Sequence, residues 1–364
     1  MLISDLDTPA VIVDLDVMER NLARVAGYCR EHQLLLRPHT KTHKIPQLAK
    51  RQIAGGATGI TVAKIGEAEV MLAAGITDIL IAYPIVGPTK TTRLAHLAER
   101  ATITVSLDSE EVARGLSEAA TRAGTKIRVM IEMDVGFERC GFSDEADLLV
   151  LGRKIAELPR LEFRGLMFFP GQFGVAPEER AAMRIQVNDF LKRTLQAFSN
   201  AGLPVSIVSG GSTPTAYEGG YFHGVNEVRP GTYIFNDRNT VAVSACTLED
   251  CALSVLVTVV STAVSGRAVV DGGSKTFSYD RFQGGDGSGF GIVKEDAAAQ
   301  VEKFSEEHGH LNIQRSERRY RVGDRLRIIP NHVCTTVNMH DEIYGVRGER
   351  IEEVWRVEGR GKLR

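Results

Sequence analysis

Leu34-Leu35-Leu36 runs directly into Arg37-Pro38-His39-Thr40-Lys41-Thr42-His43-Lys44, an apolar strand signal that stops at a basic octapeptide. Buried parallel strands of β/α folds display reactive groups at their carboxyl ends, and this stretch has the form of such an end. A lysine there invites imine chemistry with a carbonyl compound. Taken alone, the run reads as a solvated basic turn before a helix. The remainder of the chain decides between the two.

Working outward, short β-branched runs alternate with amphipathic stretches, the pattern of repeated βα units around a parallel sheet. The first run is Ala10-Val11-Ile12-Val13-Asp14-Leu15, with Asp16 as cap for a helix from Val17 to about Glu31. Further runs lie at 59–62, 78–82, 102–105, 127–131, 163–169 and 205–208, with helical patterns such as Pro46 to Gly55, Ile65 to Ala74 and Pro177 to Ala201 between them. Counting the first two runs, this predicts an α/β chain with an eight-stranded β/α barrel of TIM type over residues 8–240. A doubly wound sheet is the alternative, but no G-x-G-x-x-G follows the first strand. After about Asn239 strand runs at 253–260, 268–271 and 325–329 follow one another without long helices, so 241–364, joined by 1–7, is expected to form a mostly β domain. Gly284 to Gly291 holds five glycines and is a weak phosphate-cradle candidate, because no P-loop lysine follows.

Composition narrows the chemistry. The 364 residues carry 44 basic and 46 acidic side chains, a net charge of -2, which gives no footprint for nucleic acid or an anionic membrane. No apolar run is long enough to span a bilayer and no secretory leader is visible at Met1, so a cytoplasmic protein acting on small molecules is expected. The five cysteines (Cys29, Cys140, Cys246, Cys251, Cys334) lack the spacing of a disulfide framework or zinc finger.

Four stretches could carry a reaction. In the octapeptide, His39, Lys41 and His43 share a face if the strand continues, and a Lys41 pointing into the barrel mouth would favour its neutral, nucleophilic amine; Lys44 is placed outside, on the next helix. Asp134-Val135-Gly136-Phe137-Glu138-Arg139-Cys140-Gly141 follows a strand and can hold the Arg139 guanidinium against an anion or phenolate. Ser209-Gly210-Gly211-Ser212-Thr213-Pro214-Thr215 is a nest of amides and hydroxyls late in the barrel, to which Arg229-Pro230-Gly231-Thr232-Tyr233 can add. Last, His332 and Cys334 in Pro330-Asn331-His332-Val333-Cys334 face the same way on a strand and could hold one divalent ion with open positions left for water or substrate. Each alone is an ordinary turn or core pair.

Together, in order, these motifs resemble the D-threonine aldolase and D-serine dehydratase family of metal-activated pyridoxal-phosphate enzymes with an alanine-racemase-like barrel. The match adds D-T-P-A at Asp7 to Ala10 and D-G-G-x-K at Asp271 to Lys275, and it covers nearly the whole chain. It implies that Lys41 carries pyridoxal 5'-phosphate and that Arg139 contacts its phenolic oxygen. Gly211, Ser212, Thr213, Gly231 and Thr232, with Tyr233, would surround the phosphate, and His332 and Cys334 would bind zinc, manganese, magnesium or cobalt. Thiolate ligation tilts that choice toward zinc. The resemblance also implies a homodimer and a D-amino acid substrate. Two departures stand out. H-x-C resembles the dehydratases more than the H-x-D of aldolases, and Phe168-Phe169-Pro170-Gly171-Gln172 lacks the tyrosine and histidines common there. The acid or base would then come from His39, His43 or the other subunit. Retro-aldol cleavage is the leading expectation, dehydration the alternative, with a racemase or a non-catalytic cofactor carrier behind both.

Overall fold

The computed structural model describes residues 1–284 and 289–364. The chain divides into two compact units, one of Met1–Ala23, Thr42–Ile45 and Thr232–Arg360, the other of Arg24–Lys41, Pro46–Gly231 and Gly361–Arg364. It therefore crosses between units at Ala23–Arg24, Lys41–Thr42, Ile45–Pro46, Gly231–Thr232 and Arg360–Gly361. Residues 8–23 and 232–240, expected in the barrel segment, belong with the β unit. Part of the Gly284 to Gly291 loop lies outside the described residues.

The first strand, β1 (Ala10–Asp14), is the main correction to the expected strand count. Its apolar run suits any buried sheet, and it pairs antiparallel with residues 253–256 and parallel with 344–346, so it is not a barrel strand. Asp14, not Asp16, caps the following helix Leu15–Glu31, its carboxylate accepting the Val17 N–H at 3.1 Å.

The parallel sheet consists of β2 (Leu35–Leu36), β3 (Ile60–Val62), β4 (Asp78–Ile81), β5 (Thr102–Leu107), β6 (Ile127–Met133), β7 (Leu161–Phe168), β8 (Ile207–Gly210) and β9 (Glu227–Val228). All eight strands are parallel, in the order β2-β9-β8-β7-β6-β5-β4-β3. The two ends of that order meet in one parallel bridge, His39 with Thr61, and the Thr61 N–H donates to Pro38 O at 2.8 Å. The helices Pro46–Ala54, Ile65–Ala73 and Pro177–Asn200 match the periodicity within a residue. Strands covered on both faces need apolar side chains on both, and Ile60, Val62, Ile79, Ile81, Val105, Val129 and Ile131 are fully buried. Glycine is required at Gly165, which sits at φ 145° and where a Cβ would lie 2.0 Å from Ile207 O.

The other unit holds β10 (Leu253–Ser261), β11 (Arg267–Val270), β12 (Gly291–Val293), β13 (Asp296–Phe304), β14 (Gly309–Asn312), β15 (Arg325–Pro330), β16 (Glu342–Arg347) and β17 (Arg350–Arg356). With β1 they form a sheet in the order β11-β14-β13-β12-β15-β10-β1-β16-β17. Apart from the β1–β16 pair, its ladders are antiparallel. Among the described residues no helix is long and apolar enough to cross a membrane.

β2 and β9 are only two residues long, too short for a ladder to hold them. A buried polar chain does so instead. Arg37 Nε donates to Glu227 at 2.8 Å and its Nη1 to Asp78 at 2.7 Å; Ser209 Oγ donates to the other Glu227 oxygen at 2.6 Å. Removing one partner strands a buried charge, so Arg37→Ala is expected to cost about 3–5 kcal/mol of unfolding free energy. Denaturant melts measure this, and a loss below about 1 kcal/mol, the size of a surface pair, would show that the chain of ion pairs carries little.

Candidate active site

Beyond β2 the chain does not continue as a strand. It turns through a 3-10 helix, Thr40–Thr42, so the expected two-residue alternation of His39, Lys41 and His43 does not hold. Lys41 is exposed, contrary to the expected desolvation. Its backbone N–H points at His39 Nδ1, 3.4 Å away. His39 keeps some accessible surface but is packed deeply enough that desolvation, then the Lys41 and Arg229 cations, hold its pKa well below the ordinary value. His43 lies in the β unit, fully buried, its Nδ1 accepting the Ile45 N–H at 3.0 Å and its ring edge-on to Phe235. Lys44 is not on the outside as expected: it is buried, left-handed at φ 56°, and donates to Asn338 at 2.8 Å.

Arg139 is presented by a loop that Asp134 organises. That carboxylate accepts the N–H groups of Gly136 and Phe137 at 2.9 Å and of Glu138 at 3.0 Å. The Arg139 guanidinium lies over Phe169, 4.6 Å from the ring centroid, and 3.6 Å from Glu132. Sequence reasoning missed Glu132. It is buried at the end of β6, and desolvation raises its pKa against the lowering pull of Arg139 and Arg229. A lone carboxylate in the apolar run Ile127-Arg128-Val129-Met130-Ile131-Glu132-Met133 was the available signal.

After β8, Gly211 adopts φ 104°, and the chain turns so that the Ser212 N–H donates to Thr215 Oγ1 at 3.0 Å. The Gly231 N–H donates to Thr213 Oγ1 at 3.3 Å, so the loops after β8 and β9 converge. Arg229 is buried beside them, donating to Ser209 Oγ and, at 2.8 Å, to Phe168 O. Hydroxyls, amides and a buried guanidinium make a donor set suited to a phosphate group. Thr232 and Tyr233 lie in a 3-10 helix of the β unit.

In the β unit His332 and Cys334 are not on a strand. β15 ends at Pro330, His332 is the extended residue before helix Val333–Asn338, and Cys334 occupies its first turn. The two side chains nevertheless touch, and charge on the Cys334 sulfur, aided by Asp237, raises the His332 pKa well above its ordinary value. The sulfur lies 3.3 Å from Thr42 Oγ1 and 3.8 Å from Thr232 Oγ1. Among the described residues no third His, Cys, Asp or Glu completes a set of three, so the protein would supply two ligands.

A lysine at the end of eight parallel strands, converging loops after β8 and β9, and a separate β unit fit an alanine-racemase-like class. In agreement, residues 13–239 match the model "Alanine racemase, N-terminal domain" and 252–346 match "Putative serine dehydratase domain". The chain is 33% identical to D-threonine aldolase of an Arthrobacter species over 98% of its own length and 93% of that protein. The crystal structure of D-threonine aldolase from Filomicrobium marinum superposes with TM-score 0.93 at 36% identity, covering 99% of this chain and 98% of that one. D-threo-3-hydroxyaspartate dehydratase from Delftia sp. HT23 gives 0.91 at 33%, covering 98% of each chain. A cysteine-to-alanine variant of such a dehydratase, in the metal-free form, gives 0.90 at 32%, again over 98% of each. The chain belongs to the D-threonine aldolase and D-serine dehydratase family.

The His39 environment makes a pH prediction. The folded state resists protonating a group whose ordinary value is 6.5, so its share of stability is full above that pH and lost as pH falls below it. His39→Gln should therefore lose less stability than the parent on going from 6.5 to about pH 5, read as the difference between two melting-temperature profiles. Glu132, shifted the other way, is common to both proteins and cancels. Parallel profiles would show that His39 is not held neutral.

Proposed function

We propose that the protein is a pyridoxal-phosphate- and divalent-metal-dependent lyase of D-β-hydroxy amino acids, and that its reaction is retro-aldol cleavage of D-threonine type, giving glycine and an aldehyde. The observation that carries this is Lys41, its N–H directed at His39 Nδ1, at the end of the parallel sheet, in a chain that also sets the His332 imidazole beside the Cys334 thiol. When bound, pyridoxal phosphate supplies an electron sink at Cα, and the ion supplies a Lewis acid for the β-hydroxyl. Lys41 holds the cofactor through its ε-amine. Arg139, steered by Glu132 and Phe169, pairs with its phenolic oxygen; Gly211, Ser212, Thr213, Gly231, Thr232 and Tyr233 hold its phosphate. His332 and Cys334 bind the metal, with zinc favoured for the thiolate. His39 accepts the hydroxyl proton in cleavage. His43 is left out of this reading, because it is a buried turn residue.

Dehydration to a 2-oxo acid and ammonia is the second reading, favoured by one feature, the His-x-Cys pair, together with the solved metal-free cysteine variant of a dehydratase. In that case Lys41 removes the Cα proton. Closure of the eight strands into a TIM-type barrel through the His39–Thr61 bridge, a homodimeric state and a cytoplasmic location belong to the same proposal.

Incubating the protein with D-threonine, pyridoxal phosphate and manganese is expected to release acetaldehyde and glycine. Release of 2-oxobutanoate and ammonia would replace aldol cleavage by dehydration, and formation of L-threonine would replace both by racemisation. Lys41→Ala should lose the yellow cofactor absorbance; if the colour survives, the role given to Lys41 is wrong.

A further inference from the structure

His332 has two ring nitrogens, and a cation can be ligated by one only if the other carries the ring proton. Nδ1 lies 3.0 Å from Asp237 Oδ2. Asp237 is completely buried, whereas 34% of the His332 side chain stays accessible. The same Asp237 oxygen accepts the Val333 N–H at 3.1 Å, so it grips both the ring and the backbone that carries it. Its second oxygen accepts the Thr240 N–H at 2.8 Å, closing a capping box on helix Arg238–Ala242.

We propose that Asp237 is the positioning residue of the metal centre: it fixes the proton of His332 on Nδ1 and thereby leaves Nε2 unprotonated toward the ion. This rests on the metal reading above and adds a residue to it. The reasoning is one of tautomers. A neutral imidazole carries one N–H, and a carboxylate beside Nδ1 admits only the form whose proton points at it. Nε2 then holds the lone pair a metal needs. Without the carboxylate both tautomers become available, and the ring loses the anchor that orients it.

The competing account is that Asp237 only caps a five-residue helix. The two carboxylate oxygens separate these roles, since the cap uses one and His332 the other. Thr240→Ala weakens the cap and spares the His332 contact. Asp237→Ala removes both.

Cobalt(II) titration of the purified protein, read through the thiolate-to-cobalt charge-transfer band that Cys334 supplies, decides the matter. Asp237→Ala is expected to raise half-saturating cobalt by about 10–100-fold while reaching the same band at saturation, with Thr240→Ala staying close to the parent. Equal affinity in Asp237→Ala, with binding lost in His332→Ala, would overturn the role of Asp237 and leave the metal reading intact. Parental titration curves in both His332→Ala and Cys334→Ala would remove the metal centre and the role together. Should Asp237→Ala fail to fold, chemical rescue tests the same point with Asp237 in place. In His332→Gly, 4-methylimidazole, which can donate an N–H to Asp237, should restore tight cobalt binding, and 1-methylimidazole, which cannot, should not. Equal rescue by the two would sink the proposal.

Discussion

The buried chain Asp78–Arg37–Glu227–Ser209–Arg229 is the constraint on which the parallel unit depends. It runs through the two shortest strands, where the ladder is weakest, and ends on Phe168 O. Buried charges are costly unless every donor and acceptor is matched. Here the guanidinium of Arg37 is shared between two carboxylates, and Glu227 has a donor on each oxygen. The network therefore specifies one register for β2 and β9, since a slip of one residue would leave a buried charge unpaired.

That register reaches the chemistry directly. Arg37 fixes the end of β2, the Thr61 hydroxyl donates to Arg37 O at 2.9 Å, and the bridge of His39 to Thr61 follows two residues on. At the far end of the same network Arg229 contributes the positive charge that helps to keep His39 neutral. The octapeptide is thus divided. Arg37 is held in the ion-pair chain, His39 and Lys41 lie at the end of the parallel sheet, and Thr42, His43 and Lys44 are buried parts of the other unit.

Much of this architecture was legible in the sequence, because parallel strands buried on both faces appear as apolar runs whatever their neighbours. For the same reason β1 was misplaced: an apolar run states that a strand is buried, not which sheet it joins. β9 escaped notice because two residues have no periodicity. His332 and Cys334 were paired on a wrong premise, strand alternation, and the structure joins them across a helix start instead. Asp237 carries no sequence signal toward a residue 95 positions away, since that contact exists only after β15 has been laid in its sheet.

The two histidines that matter are driven in opposite directions, and the contrast is itself informative. Packing and the Lys41 and Arg229 cations put the His39 pKa below its ordinary value, whereas Cys334 and the buried Asp237 carboxylate put that of His332 above it. The proposed function gives these two residues separate tasks, His39 as base and His332 as metal ligand. Breaking a bond next to an alcohol needs both, because the hydroxyl proton must leave while charge on the oxygen is stabilised. A simple racemisation at Cα would have no use for the second. Under that proposal the paired roles of His39 and His332 suit lyase chemistry better than racemisation.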